Sequence, residues 1–235
     1  MGRARDILES GLYVAGAYRS AFDKGWAEKC GAMSPYQPWN REKKAIFIHV
    51  PKAAGRSVKK SLGLVDHESL GHCPAVGFQA ADREFFSSSY RFAIVRDPLD
   101  RLQSAFRYLK TTTPYVHDKA WAQRHLANIP SFEVFVEKLK SFTFRAAIMP
   151  WIHFRPQAHF IADADGALLV DEIIKQETLS CSFPTLCSKL NVDTDLVHIN
   201  SSATSVDNIA LPRSALDVVA DLYRDDYRLL DYEAR

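Results

Sequence analysis

The segment AIFIHVPKAAGRSVKKSL, residues 45–62, sets a lysine, a glycine and a serine close together directly after an apolar run. Lys52 is a mobile point charge, Gly55 allows close backbone approach, and Ser57 adds a hydroxyl. With the backbone N–H groups of Ala53, Ala54 and Arg56, they are the parts of a cradle for a small anion. The standard nucleotide loop ends in Gly-Lys-Ser/Thr, whereas here the lysine precedes the glycine. A second group follows in RDPLDRLQSAFRYLK. The forked guanidinium of Arg96 suits a phosphate monoester, and Ser104 can add a hydroxyl. Arg101, Ser104 and Tyr108 fall on one helical face by their three- and four-residue spacing. The competing reading pairs Arg96 with Asp97 or Asp100 and leaves Ser104 as packing.

Other chemistry-bearing residues are scattered. His72, in SLGHCPA, is one of eight histidines and stands in sequence between the two anion groups. Trp151, His153, Phe154 and Arg155 form an aromatic and basic cluster that could line a binding pocket or simply belong to the core. Cys30, Cys73, Cys181 and Cys187 show no C-x-x-C pair and no zinc spacing, so reduced thiols are expected. Cys73 is set apart by adjoining His72.

Positioning these groups requires alternating strands and helices. The apolar run 45–50 reads as a buried strand with His49 packed inside it, and a helix follows from about Arg56 until Gly63. A short strand is expected near Glu68–Leu70, a helix over PAVGFQAADREFF (74–86), and a strand over RFAIV (91–95). Asp97 and Pro98 are an N-cap and a first helical residue. An amphipathic helix is expected over 131–140. HFIADADGALLVDEII reads as two extended segments around an Asp-Gly turn, and helices follow over 178–190 and 214–224. MSPYQPWN reads as a linker into the first strand. The pattern predicts a single α/β domain over 45–235, with a mostly parallel sheet flanked by helices, preceded by an N-terminal segment and linker over 1–44. Both anion groups then open on the carboxyl edge of the sheet.

Composition bounds the partners. A net charge of +2 excludes a strongly cationic nucleic-acid coat but permits a local basic pocket. No apolar run approaches a membrane span and the N-terminus lacks a signal-peptide pattern, so a cytoplasmic protein with no membrane or nucleic-acid partner is expected.

FIHVPKAAGRSV resembles the 5′-phosphosulfate loop of the P-loop sulfotransferases, and FAIVRDPLDRLQSAFRY resembles their 3′-phosphate motif, Arg-Asp-Pro-x-x-Arg-x-x-Ser. The carbohydrate sulfotransferases, with His-x-Pro-Lys-Thr-x-Gly-Thr-Ser, are the most similar branch. FRPQAHFI, VDEIIKQETL, VHINSSA and LYRDDYRLLDY extend the resemblance over about residues 45–232. Ala53 and Arg56 replace threonines of that pattern, and Arg56 either adds charge beside the anion or points to solvent. Lys175-Gln176 stands where Arg-Phe is usual.

The resemblance implies a donor, 3′-phosphoadenosine-5′-phosphosulfate, which leaves as adenosine 3′,5′-bisphosphate. Residues Lys52 to Ser57 would hold its 5′ end, with Lys52 on the bridging oxygen, and Arg96 with Ser104 its 3′-phosphate. No Walker-type aspartate and no Ser/Thr after Gly-Lys is present to hold magnesium, so metal-free transfer is expected. The acceptor would be a small molecule or carbohydrate presenting a hydroxyl or amine. His72 is the expected base, through its loop position and its resemblance to the family's Gly-His segment; His67 and His153 are the alternatives. Two other classes stay open: a P-loop kinase-like enzyme, disfavoured by its missing motif, and a non-catalytic module that binds the bisphosphate.

Overall fold

The computed structural model describes residues 8, 10, 11, 13, 17–64, 70–197 and 210–235. Three parallel strands form one sheet in the order β1 (Ala45–Ile48), β2 (Tyr90–Val95) and β3 (Glu172–Lys175). Pairing aligns Ile48 with Ala93 and Val95 with Lys175. All four residues of β1 are buried, as are Phe92 to Val95 of β2. That is why both read as continuous apolar runs rather than alternating ones. The helices Gly55–Ser61 and Leu179–Leu190 supply Val58, Leu179, Phe183 and Leu186, with Leu62 just past the first, to a core shared with Phe47, Phe92, Ile94 and Ile174. The architecture is α/β with a parallel sheet flanked by helices, as the alternating pattern predicts.

The chain gathers into two compact units. One contains the sheet and comprises Arg19–Arg96 and Gln157–Ala203; the other is helical and comprises Met1–Tyr18, Asp97–Pro156 and Thr204–Arg235. The helical unit has its own core, in which Leu102, Phe106, Trp121, Phe135, Phe154 and Tyr223 are buried together. The buried Tyr223 hydroxyl donates to the Phe154 carbonyl at 2.7 Å, so its polar end is satisfied inside that core.

Several boundaries follow the cues in the chain. Asp97 accepts from the Asp100 N–H at 3.0 Å, and Pro98 opens the helix Pro98–Arg107. Gly63, at φ 69°, closes the helix that begins at Gly55. The Leu64 N–H reaches the Lys59 carbonyl and the Gly63 N–H the Lys60 carbonyl, which is the Schellman pattern.

Other boundaries differ from expectation. β1 ends at Ile48 and not at Val50, because the ladder to β2 stops at the Ile48–Ala93 pair. His49 therefore lies beyond the strand. The helix expected over 74–86 is two, Ala75–Ala81 and Arg83–Ser88; extended Asp82 separates them and accepts from the Phe85 N–H at 2.9 Å. Ala158–Ile161 is a helical turn where an extended segment was expected. The expected linker MSPYQPWN ends in a helix, Pro38–Lys43, because the Asn40 side chain caps the Gln37 N–H at 2.8 Å. Residues 65–69, which hold most of the weak strand and His67, lie outside the described residues, as do 198–209.

Candidate functional site

The loop leaving β1 is built from unusual backbone. Lys52 and Ala54 adopt φ 67° and φ 60°, a left-handed conformation costing an L-residue roughly 1–2 kcal/mol. Left-handed residues interleaved with others turn successive N–H groups to one side, the geometry of an anion nest. Ala53 is fully buried and Ser57 is 8% exposed, while the Lys52 side chain is partly exposed and Arg56 exposed. Gly55 has a reason that sequence did not reveal. A Cβ there would lie 2.0 Å from His49 Cδ2 and 2.2 Å from its Nε2, so the glycine lets this imidazole cover the loop.

His49 also ties the loop to His72. His49 Nδ1 lies 3.2 Å from the Gly71 carbonyl, and His72 Nδ1 lies 3.2 Å from the His49 carbonyl. A carbonyl oxygen only accepts, so each Nδ1 carries a proton and each Nε2 is the basic nitrogen. The two rings are 4.4 Å apart at their centroids, and His49 stacks on Phe47 at 5.8 Å. His72 is partly exposed, whereas His49 is nearly buried. The structure therefore brings His72 to the Lys52 loop through reciprocal backbone contacts.

Arg96 stands directly after β2, in the same unit as that loop. Its backbone is held twice by Gln157, which is fully buried. The Arg96 N–H donates to Gln157 Oε1 at 3.0 Å, and Gln157 Nε2 donates to the Arg96 carbonyl at 2.7 Å. Gln157 thus fixes where the Arg96 side chain starts. Nothing in the spacing of two residues so far apart in the chain announces this pairing.

Ser104 is partly exposed on the helix Pro98–Arg107 of the helical unit. Arg101, expected on the same face, is fully buried; it donates to the carbonyls of His153 at 3.2 Å and Arg155 at 2.5 Å. It acts as an internal tie rather than a surface cation. Asp97 and Asp100 reach the Arg235 guanidinium at 3.4 and 3.1 Å.

The aromatic and basic cluster belongs to the interior. Phe154 is fully buried, His153 and Arg155 are 7% and 5% exposed, and Trp151 stacks on Trp121 at 4.8 Å. His153 Nε2 lies 3.1 Å from Asp118 Oδ2, which also accepts from Thr113 at 3.1 Å and Tyr108 at 3.2 Å. Burial alone would raise the Asp118 carboxyl, but these hydrogen bonds and the His153 charge outweigh it and hold it below the usual range. Its stabilising contribution is complete above the unfolded carboxylate pKa and is lost as pH falls through the folded value. Asp118→Ala should cost about 3–5 kcal/mol in urea unfolding at neutral pH, because it strips partners from a buried network. The gap from wild type should narrow as the solution is acidified.

Among the described residues, no helix is long and apolar enough to cross a membrane. Searches of curated proteins and of solved structures returned no match. A family model described as the sulfotransferase family matches residues 39–233. That range takes in the Lys52 loop, His72, Arg96 with its Gln157 brace, and Ser104. The chain belongs to the sulfotransferase family, whose members use 3′-phosphoadenosine-5′-phosphosulfate.

Proposed function

We propose that the carboxyl edge of this sheet binds 3′-phosphoadenosine-5′-phosphosulfate and directs its sulfuryl group to a hydroxyl or amine of a small-molecule or carbohydrate acceptor. One observation carries the reading: the Lys52 loop and Arg96 leave adjacent, parallel, hydrogen-bonded strands at the same end. Neighbouring strands lie about 4.8 Å apart, so two anion-binding groups open side by side. A ligand with two separated anionic ends suits that arrangement.

The residues present fit such a donor. The left-handed turns at Lys52 and Ala54 form an anion nest, with the buried Ser57 hydroxyl beside it and two partly exposed cations, Lys52 and Arg96, on the same edge. The loop residues Lys52, Ala53, Ala54, Gly55, Arg56 and Ser57 take the 5′ end and Arg96 the 3′-phosphate. Ser104 joins the assignment through its motif. The donor supplies an activated sulfuryl group on a phosphate leaving group. Lys52 neutralises charge that develops on the leaving oxygen. His72 Nε2 accepts the acceptor's proton, with Nδ1 held by the His49 carbonyl to keep the ring in that tautomer.

Transfer of labelled sulfate from the donor to a panel of hydroxyl and amine acceptors tests the reading. Donor-product binding without transfer to any acceptor would favour a non-catalytic module instead. Arg96→Ala should weaken adenosine 3′,5′-bisphosphate binding by about 2–5 kcal/mol, the loss expected when a charged partner is truncated. Binding of adenosine 5′-monophosphate should change little; equal losses in calorimetry would remove Arg96 from the 3′-phosphate. Because loop and strand-end cations carry the charge stabilisation, turnover should be unaffected by a chelator. A strict requirement for added magnesium would instead point to kinase-like chemistry.

A further inference from the structure

Cys30, on the helix Tyr18–Ala32, and Cys73, immediately after His72, belong to the same compact unit and have their sulfurs 3.4 Å apart. Both are nearly buried, at 2% and 3% exposure. Gly77 makes room for the contact: a Cβ there would lie 2.7 Å from Cys73 Sγ and 3.0 Å from Cys30 Sγ. Cys73 also lines a cleft of about 30 Å³, shared with His49, Gln37 and Lys59. A space of that size admits a molecule of water or peroxide dimensions.

The two thiols are not equivalent. Hydrogen bonding to Cys73 lowers the Cys30 thiol from its ordinary value, against burial and with help from the Lys29 charge. Burial first, and then the bond to Cys30, pushes Cys73 well above its ordinary value. Cys73 Sγ also donates to the Pro74 carbonyl at 3.4 Å, which holds that sulfur in place beside Cys30.

We propose that Cys30 and Cys73 are an oxidisable pair that hydrogen peroxide converts to a reversible disulfide, stapling the helix Tyr18–Ala32 to the loop that carries His72. The Cys30 thiolate attacks one peroxide oxygen, the O–O bond breaks, and the departing hydroxide takes a proton to become water. Cys73 then loses its proton and attacks the Cys30 sulfur of the sulfenic acid, the S–O bond breaks, and a second water leaves. The two thiols give up two electrons and two protons, and one peroxide becomes two waters.

Closing the bond has a mechanical consequence. A disulfide needs sulfurs about 2.0 Å apart, so the 3.4 Å contact must shorten and the residue next to His72 moves with it. Displacement of a reacting group by about 1 Å can cost about a hundredfold in rate. The consequence for turnover rests on the assignment of His72 as base; the disulfide itself does not.

The test treats the intact protein with one equivalent of hydrogen peroxide, blocks remaining thiols under denaturing conditions, and maps peptides without reduction. The expected product is a Cys30–Cys73 cross-linked peptide, reversed by dithiothreitol, with Cys181 and Cys187 recovered as blocked thiols. In Cys73→Ser, Cys30 should accumulate as a sulfenic acid captured by dimedone. Oxidation of the exposed Cys181 without a Cys30–Cys73 cross-link would overturn the proposal, as would a Cys73→Ser protein whose Cys30 resists dimedone. Sulfuryl transfer should fall at least tenfold on cross-linking and return on reduction. A cross-link that leaves turnover unchanged would uphold the disulfide and overturn its coupling to the His72 loop.

Discussion

Lys52→Ala is expected to slow sulfuryl transfer by about a hundredfold or more, the loss seen when one preorganised group that meets developing charge is removed. That is roughly 2.7 kcal/mol of barrier, far more than a surface lysine contributes to stability. Affinity for adenosine 3′,5′-bisphosphate should fall less, because Arg96 and the loop backbone remain. The lysine's own conformation provides a second arm. Lys52 sits at φ 67°, and glycine would occupy that position without the roughly 1–2 kcal/mol penalty of an L-residue. Lys52→Gly should therefore unfold at a denaturant concentration equal to or above that of Lys52→Ala while being just as slow. Loss of activity in both, whatever the difference in their stability, isolates the ammonium as the cause. Near-normal turnover in either variant would remove the loop from the reaction.

The features legible in the chain are those that local physics writes down. β1 and β2 are buried, so they read as apolar runs, and Asp97-Pro98 and Gly63 mark helix ends through their own side-chain and backbone chemistry. What escaped depends on partners distant in sequence. The end of β1 is set by where its pairing with β2 stops, so the apolar run at 45–50 overstates the strand. Helical spacing sets Arg101 on the same face as Ser104, but it says nothing about which part of that face is covered. The Arg101 guanidinium instead serves two backbone carbonyls in a segment far along the chain. Gln157 is the clearest omission from the site. A glutamine in FRPQAHFI carries no chemical signature, and its role becomes visible only when its amide is found bonded to both backbone groups of Arg96. The one helix expected over 74–86 is two because Asp82 within it is extended and caps a new helix, a role its residue type alone does not announce.

His72→Ala is expected to cut turnover by about 100- to 10,000-fold, the range for loss of a positioned general base, while adenosine bisphosphate affinity stays nearly intact. The wild-type rate should rise with pH as an imidazole loses its proton, and the variant should lack that rise. A histidine with structural contacts needs a control, because His72 Nδ1 also holds the His49 carbonyl at 3.2 Å. His49 in turn holds Gly71 and covers Gly55, so alanine at 72 could loosen the donor loop as well as remove a base. Asparagine separates the two effects. Its side-chain amide can donate to the His49 carbonyl much as Nδ1 does, but it has no nitrogen that accepts a proton near neutral pH. If His72 is the base, His72→Asn should be as slow as His72→Ala and show the same flat pH profile, with normal bisphosphate affinity. If His72 only braces the loop, His72→Asn should recover most of the lost turnover and keep the wild-type pH dependence. That outcome would transfer the search for a base to the other histidines.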